Sequence, residues 1–168
     1  MENTESTKIS SCLSFGLGDE VFAVHVSKVL EILEITQITK VPNAPAYMRG
    51  VINLRGSVLP VVSTRTIFGL KEVPDTVDTC IIVLDIEVEG EVLKVGTLVD
   101  NVKEVLEIDE EQMEPAPNLG KRFRSEFISG MWKQEENFIM VLNIDKVFSE
   151  DELALVQDLT DPVESVES

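Results

Sequence analysis

The chain has 168 residues, a net charge of −17 and a pI near 4.3. Such an acidic protein is repelled by phosphate backbones and by anionic lipid, which disfavours nucleic-acid binding and docking on a lipid surface. Two cysteines and one histidine are too few for an ordinary four-ligand zinc site. No apolar run approaches the roughly 20 residues of a membrane helix, and the acidic start MENTESTK lacks the apolar core of a signal peptide. A cytoplasmic protein without membrane insertion is therefore expected.

The first predicted elements form a hairpin that follows a loose tail. Apolar runs at Cys12–Leu17 and Val21–Val26 flank Gly18-Asp19-Glu20, a link of the length and composition that joins two antiparallel strands. His25 stands in the second run, away from any recognisable nucleophile motif, so a surface or packing role is favoured. Ser27 is placed to cap a helical turn over Lys28–Leu33, with a β-branched run, Ile35–Val41, after it.

The stretch at residues 41–62, VPNAPAYMRGVINLRGSVLPVV, contains the sharpest turn signals in the chain. Pro45 and Gly50 suit the start and the end of a single helical turn. The Gly56-Ser57 link then predicts a β-hairpin in which Arg55 pairs with Val58 and Leu54 pairs with Leu59.

The two faces of this predicted hairpin differ in chemistry. Side chains alternate along a strand, which gives one wholly apolar face that is predicted to be core: Ile52, Leu54, Leu59 and Val61. The opposite face carries the remaining residues: Val51, Asn53, Arg55, Val58, Pro60 and Val62. Pro60 has no N–H to donate, which favours an edge strand or a bulge. The second face is either another packing layer or a place where a partner docks.

The second half of the chain contains five further strand-like runs: Thr79–Glu87, Val92–Val99, Val102–Ile108, Phe127–Lys133 and Phe138–Leu142. The first two are predicted to pair across a turn at residues 88–91, and the last two across the polar residues 134–137. Gly96, inside one of them, indicates a bulge, a sharp bend or a close approach of other atoms. The polar link at residues 71–78 is the best candidate for a junction between two lobes, and helical spacing returns at residues 143–155. Many short strands with few helices predict an all-β barrel or sandwich.

The chemistry-bearing residues offer little for catalysis. The chain contains no phosphate-binding loop, nucleophile elbow or paired metal-binding histidines, so an enzyme is disfavoured, although the abundant carboxylates leave an acidic pair in a cleft open. Lys121, Arg122 and Arg124 form the one basic cluster, either a solvated loop or a contact for an acidic partner. Trp132 is expected to be a packing or rim residue.

Six segments, in matching order and spacing over about Cys12–Val156, resemble the CheW-type chemotaxis coupling proteins. The segments are SKVLEI (27–32), VPNAPAYMRGVINLRGSVLPVV (41–62), VGTLVDNVKEVLEI (95–108), EPAP (114–117), FISGM (127–131) and IMVLNIDKVF (139–148). The chain departs from the family after PVV, where Ser63-Thr64-Arg65 replaces the frequent Asp-Leu-Arg. That change puts in doubt an ion pair at the missing aspartate.

The resemblance implies a mainly β fold of two small five-stranded Src-homology-like β-barrels packed together, with short helices, a C-terminal helix and a hydrophobic groove between the barrels. The CheW-like domain would cover residues 12–156, between flexible tails at 1–11 and 157–168. Barrel one would take about 12–70 with part of the C-terminal segment, and barrel two about 79–142.

The resemblance also implies a non-enzymatic scaffold that needs no cofactor or metal. Proteins of this family couple the cytoplasmic tip of transmembrane chemoreceptors to the regulatory domain of a CheA-type histidine autokinase, and are recruited to membrane receptor arrays. Receptor contact is implied for Val29, Glu31, Arg55, Cys80, Gly96 and Val105. Four residues complete the structural motif: Pro45, Gly50, Gly56 and Pro60.

Two other functions remain open within the same fold. An adaptor of a parallel sensory pathway, for pilus motility or second-messenger control, would have the same sequence pattern. A regulatory domain cut from a larger kinase is disfavoured, because the chain has its own Met1 and no dimerisation or ATP-binding segment.

Overall fold

The computed structural model describes residues 9–88, 90–115 and 127–147, and the secondary structure within them is mainly β. The strands are β1 Ile9–Leu17, β2 Glu20–His25, β3 Val29–Glu34, β4 Met48–Leu54, β5 Ser57–Ser63, β6 Cys80–Val88, β7 Glu91–Val99, β8 Asn101–Asp109, β9 Ile128–Gln134 and β10 Asn137–Leu142. Two α-helices of one turn each follow β5 and β10: α1 Thr64–Ile67 and α2 Ile144–Val147. Short 3-10 turns occupy Val26–Lys28 and Glu110–Gln112.

The strands form two five-stranded sheets, as predicted. Sheet I has the order β8-β1-β2-β10-β9, and sheet II has the order β3-β6-β7-β5-β4. Neighbouring strands are antiparallel except for one parallel pair in each sheet, β2 with β10 and β5 with β7. The predicted hairpins β1–β2, β6–β7 and β9–β10 are confirmed.

Three apolar clusters bury both faces of the sheets. The inter-sheet core lies between them, with Phe15 and Phe22 from sheet I packed together with Ile82 and Val95 from sheet II. Sheet I has a second cluster of its own around Cys12, Leu106 and Ile139. Sheet II likewise has a cluster of its own: Ile52, Leu59, Val61, Ile81, Val83 and Leu98. The predicted apolar face of the β4–β5 hairpin is therefore core.

Each sheet curls towards a barrel because the segment after one edge strand, β3 or β8, reaches the opposite edge strand, β4 or β9. In sheet II, Thr39 exchanges two backbone hydrogen bonds with Val51, at 2.9 and 2.8 Å. In sheet I, Glu114 does the same with Met131, at 2.8 Å in both directions. Gly50, beside Val51, has φ 146°, and a β-carbon there would lie 2.8 Å from Ile38 Cγ2 and closer still to the Thr39 carbonyl. Only glycine allows this approach.

The chain divides between the sheets at places other than the one predicted. It leaves sheet I at residues 26–28 and returns to it after Asp100, so residues 29–99 supply the whole of sheet II. The link at 71–78 connects α1 to β6. The strands on either side of it in the chain, β5 and β6, both belong to sheet II. An Arg49–Asp75 ion pair at 3.0 Å holds this link against β4.

Two helical predictions are wrong. Residues 29–34 form strand β3, whose side chains alternate between half-buried and exposed, and His25 rather than Ser27 caps the 3-10 turn before it. Pairing with β6 outweighs the weak local helical preference. Pro45 opens a turn closed by a hydrogen bond from Met48 N to its carbonyl at 2.9 Å, so Gly50 lies inside β4 instead of ending a helix.

The predicted register of the β4–β5 hairpin is also wrong. Leu54 pairs with Ser57 and Asn53 with Val58, so the two turn residues are Arg55 and Gly56. Both have positive φ, 51° and 89°, as a tight turn between twisted strands requires. The Asn53 side chain accepts a hydrogen bond from Gly56 N at 2.8 Å, which stabilises the turn.

Pro60 lies in an interior strand instead of at an edge, next to a bulge that interrupts the pairing of β4 with β5 between Met48 and Gly50. It pairs with Val51, whose N–H and C=O both point to Thr39 on the far side of β4, so this position of the ladder requires no N–H from Pro60. On its other side β5 pairs with β7 only from Val61 onward. A proline is therefore tolerated inside the sheet.

Some predictions lie wholly or partly outside the described residues. These are the tails, the basic cluster at 121–124, and the C-terminal helix beyond Val147. The part of that helix that is described, Ile144–Val147, is helical, and both of its end residues are buried.

The two halves of the chain are structural repeats, although no sequence repeat is obvious. Exchanging β1–β5 (repeat 1, residues 9–67) for β6–β10 (repeat 2, residues 80–147) converts the strand order of sheet I into that of sheet II. The hairpin β4–β5 and helix α1 of repeat 1 correspond to the hairpin β9–β10 and helix α2 of repeat 2. Adding 80 to the residue numbers of each pair in the first hairpin gives a pair in the second. Even the hydrogen bond from Ser63 N to Tyr47 O recurs from Asn143 N to Phe127 O, both at 2.7 Å.

Arg65 and Asp100 join α1 to the point where the chain crosses from sheet II to sheet I. The guanidinium donates from Nε and Nη2 to the carboxylate at 3.0 and 2.6 Å, and Gly18 N donates to the same carboxylate at 2.7 Å. The Arg65 hydrogen bond lowers the pKa of Asp100 below its usual value, against the opposing effect of burial. Ser63, which replaces the family's aspartate, accepts a hydrogen bond from Thr66 N and caps α1.

We expect the Arg65–Asp100 pair to stabilise the fold at neutral pH and to stop doing so in acid. A carboxyl whose pKa is lower in the folded state contributes stability above its unfolded pKa of about 4 and loses it as pH falls through the folded value. Urea unfolding of wild type and Asp100→Asn should therefore differ most near pH 7 and converge below about pH 4. A difference that stays constant down to pH 2 would contradict this role.

Candidate functional site

Glu31 and Arg55 come together across the barrel formed by sheet II. Glu31 lies on edge strand β3, Arg55 lies in the β4–β5 turn, and their side chains form an ion pair. The Arg55 side chain is 69% exposed and that of Glu31 29% exposed. An ion pair this open to solvent contributes only about 0–1 kcal/mol, so a carboxylate from a partner could replace Glu31 at little cost.

The three valines predicted to share a face with Arg55 differ in exposure. Val62 is fully buried in the inter-sheet core, Val51 is half-buried, and Val58 is exposed. The docking interpretation of this face therefore applies only to its turn end, where Val58 and Arg55 lie.

Val29 and Cys80 lie at the margin of the inter-sheet core. Both are half-buried and pack against that core, Val29 from β3 and Cys80 from the adjoining strand β6. Burial, with the nearby carboxylates of Asp78 and Glu34, raises the pKa of the Cys80 thiol, which donates to the Asp78 carbonyl at 3.3 Å. The thiol therefore stays protonated at neutral pH and behaves as a small apolar side chain.

Gly96 and Val105 do not join this group. Gly96 lies in the interior of sheet II, where a β-carbon would be 2.8 Å from Ile81 Cγ2 and 3.3 Å from Leu59 Cδ2. We assign it to core packing, the close approach that its place inside a strand indicated. Val105 is 55% exposed on β8, the edge strand of sheet I, so it belongs to the other sheet from Glu31 and Arg55.

Leu30 and Ile32 were missed by the sequence analysis. Both are 44% exposed on β3, a strand that pairs with β6 alone. Ile32 lies opposite Ile82, which is buried in the inter-sheet core, so its side chain extends the margin of that core towards solvent. A helical interpretation of Lys28–Leu33 hid this strand edge. The sequence carries no signal for this edge, because Val29–Glu34 does not alternate apolar and polar residues and the alternation of exposure appears only in the structure.

We define the edge surface by five residues of edge strand β3 and the β4–β5 turn: Leu30, Glu31, Ile32, Arg55 and Val58. Its two parts are connected by the Glu31–Arg55 ion pair, and Glu31 and Ile32 lie on opposite faces of β3, opposite Val83 and Ile82 respectively. This surface combines exposed apolar side chains with one ion pair, and an exposed apolar strand edge is a common place for a partner to bind. Among the described residues, no group of three or more His, Cys, Asp or Glu side chains is arranged to hold a metal ion. His25 is exposed, and its Nδ1 accepts from Ser27 N at 3.2 Å, as befits a surface residue.

No helix in the described ranges 9–88, 90–115 and 127–147 is long and apolar enough to cross a membrane.

Comparison with known proteins gives one consistent family. The model of the CheW-like domain matches residues 11–152. The chain is 38% identical over 140 residues to a chemotaxis protein CheW of Rhizobium meliloti, covering 83% of this chain and 88% of that protein. It is 34% identical over 147 residues to one of Klebsiella aerogenes, covering 88% and 86%. The crystal structure of the scaffolding protein TtCheW from Thermoanaerobacter tengcongensis superimposes with a TM-score of 0.74 at 30% identity, covering 84% of this chain and 94% of that one.

The assignment of Gly96 to packing makes a specific prediction. Gly96→Ala places a methyl group against Ile81 and should lower the free energy of unfolding by about 1–3 kcal/mol, as overpacking of a core does. Val105→Ala, at an exposed position, is the matched control and should change it by less than about 0.5 kcal/mol. Urea denaturation measures both, and equal stabilities for the two variants would contradict the assignment.

Proposed function

The chain belongs to the family of CheW-like domains, and on that basis we propose that it is a non-catalytic scaffold of chemotaxis that links chemoreceptors to a CheA-type histidine autokinase. Its relatives are named chemotaxis proteins, and its structural neighbour is named a scaffolding protein. We place its working location in the cytoplasm, at membrane receptor arrays. Its partners would be the helical cytoplasmic tip of the receptor and the regulatory domain of the kinase.

The edge surface is the observation that carries this proposal. It offers exposed apolar side chains on β3 and at the β4–β5 turn, together with an exposed guanidinium in that turn, which suits an amphipathic helix with an acidic residue near its apolar stripe. Leu30, Ile32 and Val58 supply the contact area, while Arg55 and Glu31 set the register of the helix by charge. Val29 and Cys80 support this surface from the margin of the inter-sheet core.

The energies favour apolar contact over charge. A rim ion pair contributes about 0–1 kcal/mol, whereas burying an apolar side chain contributes about 1.5–3 kcal/mol. A single contact of this size gives modest affinity, and many copies held together in an array raise the apparent affinity through multivalency. Arg55 therefore contributes more to the specificity for the receptor helix than to the affinity.

Reconstitution tests the scaffold function. When the protein is added to receptor membranes and a CheA-type kinase, autophosphorylation should become dependent on the receptor and its ligand. Kinase autophosphorylation that does not depend on the receptor at any concentration of this protein would contradict the proposal. Response only with components of a pilus or second-messenger pathway would assign the chain to that parallel system.

Substitutions on the edge surface should separate binding from folding. Ile32→Asp, alone or with Arg55→Ala, should weaken co-sedimentation with receptor membranes at least tenfold while the protein stays folded at the assay temperature, because Arg55 is 69% and Ile32 44% exposed. Val77→Asp, at a side chain that is 98% exposed in the 71–78 link, is the matched control and should bind normally. Val29→Asp is a poorer probe, because Val29 packs against the inter-sheet core. Undiminished binding by the double variant would exclude the edge surface.

A scaffold should not accept a phosphoryl group. Incubation with phosphorylated kinase is expected to leave the chain unlabelled over the time in which a receiver domain, the matched control, becomes fully labelled. Intact-protein mass measurement detects the transfer, and stoichiometric labelling of this chain would count against a purely scaffolding role.

A further inference from the structure

Two ion pairs join repeat 1 to repeat 2 at equivalent places. Arg65, the second residue of α1, binds Asp100, at the crossing from β7 to β8. Asp145, the second residue of α2, accepts from Lys28 Nζ at 2.8 and 3.0 Å, and Lys28 stands at the crossing from β2 to β3. Each pair therefore ties the helix of one repeat to the crossing of the other. We call these two contacts the cross-repeat pairs.

The sign of the charges is inverted between the cross-repeat pairs. The helix supplies the cation in the first pair and the anion in the second. As a result both cations, Lys28 and Arg65, belong to repeat 1, and both anions, Asp100 and Asp145, belong to repeat 2. If a repeat packed against a second copy of itself in the same arrangement, each pair would become a contact between like charges.

The overall composition of the repeats has the same asymmetry. Residues 9–67 contain five Lys and Arg against four Asp and Glu, a net charge of +1. Residues 80–147 contain seven against 15, a net charge of −8. Much of the acidity of the chain thus lies in one half, and the nearly neutral half supplies both cations of the cross-repeat pairs.

We propose that charge complementarity selects the pairing partner of each half, so that repeat 1 packs with repeat 2 and rejects its own kind. Selection is needed because the two repeats share one fold and build one core from equivalent strands. The cross-repeat pairs are well placed for it. Their four side chains are only 14–30% exposed, and each carboxylate also accepts a backbone N–H, from Gly18 for Asp100 and from Glu87 for Asp145. A like-charge contact there would be poorly hydrated and costly.

Charge reversal in the intact chain tests the coupling. Arg65→Glu and Asp100→Arg should each raise the ratio of unfolded to folded protein about tenfold or more, and the double variant should recover most of that loss. Lys28→Glu and Asp145→Lys should behave in the same way. The control is Arg49→Glu with Asp75→Arg, an ion pair between repeat 1 and the link. Losses that simply add in the two double reversals would overturn the proposal.

Recombination of the halves tests the selection itself. A protease site inserted beside the exposed Val77 allows the folded chain to be cut in the link, after which the halves are separated in urea and refolded together. Native mass measurement should find repeat 1 bound only to repeat 2. Lys28→Glu with Asp145→Lys keeps both cross-repeat pairs satisfied but also makes each half complementary to itself, so like pairs should appear in at least one-tenth of the complexes. Exclusive 1:1 pairing of unlike halves in that variant would show that packing alone selects the partner, and would refute the role of charge.

Discussion

Burial of both faces of each sheet is the constraint on which the rest of the structure depends. Sheet II packs Ile82 and Val95 against sheet I, and turns Ile81 and Val83 into its own cluster. A sheet that must be apolar on both sides leaves few positions for polar chemistry, and those lie on edge strands, turns and crossings. The edge surface and both cross-repeat pairs are found at such positions.

Burial of both sheet faces also suits the role of a scaffold. The inter-sheet core is formed by strands of both repeats, so the two barrels present their outer edges at a fixed relative position. Edge strand β3 pairs with β6 on one side and with no strand on the other among the described residues. The segment that follows β3 closes the barrel through the bridge between Thr39 and Val51. Leu30 and Ile32 therefore remain partly exposed on a hydrogen-bonded strand instead of in a loop. Binding to such a surface costs little ordering entropy, which suits weak contacts that are repeated many times in an assembly.

Local patterns predicted the elements well, and long-range pairing accounts for most of the errors. Alternation and turn residues located the hairpins β1–β2, β6–β7 and β9–β10, and the resemblance to a family supplied the two-barrel fold. The segment 28–33 was misassigned because its strand character comes from β6, about 50 residues away. The hairpin register slipped because positive φ at Arg55 is not visible in a sequence where Gly56-Ser57 gives an equally good link. Of the candidate site, Glu31 and Arg55 were among the six residues named from the resemblance, but their ion pair could not be predicted, and the burial of Gly96 depends on three side chains from β5 and β6.

The exchange of strands between repeats has a consequence for synthesis of the protein. Strand β1 pairs with β8 in a register that sets Ile9 against Asp109, and β2 pairs with β10 at Ile139–Val141. On a ribosome, the first hairpin must therefore wait, with its apolar faces uncovered, until almost the whole domain has emerged. Sheet II can be completed earlier, when Val99 leaves the exit tunnel, but the inter-sheet core cannot. The growing chain thus depends on slow, non-local closure, and the hairpin at residues 9–25 is where a nascent-chain chaperone would find the longest exposure.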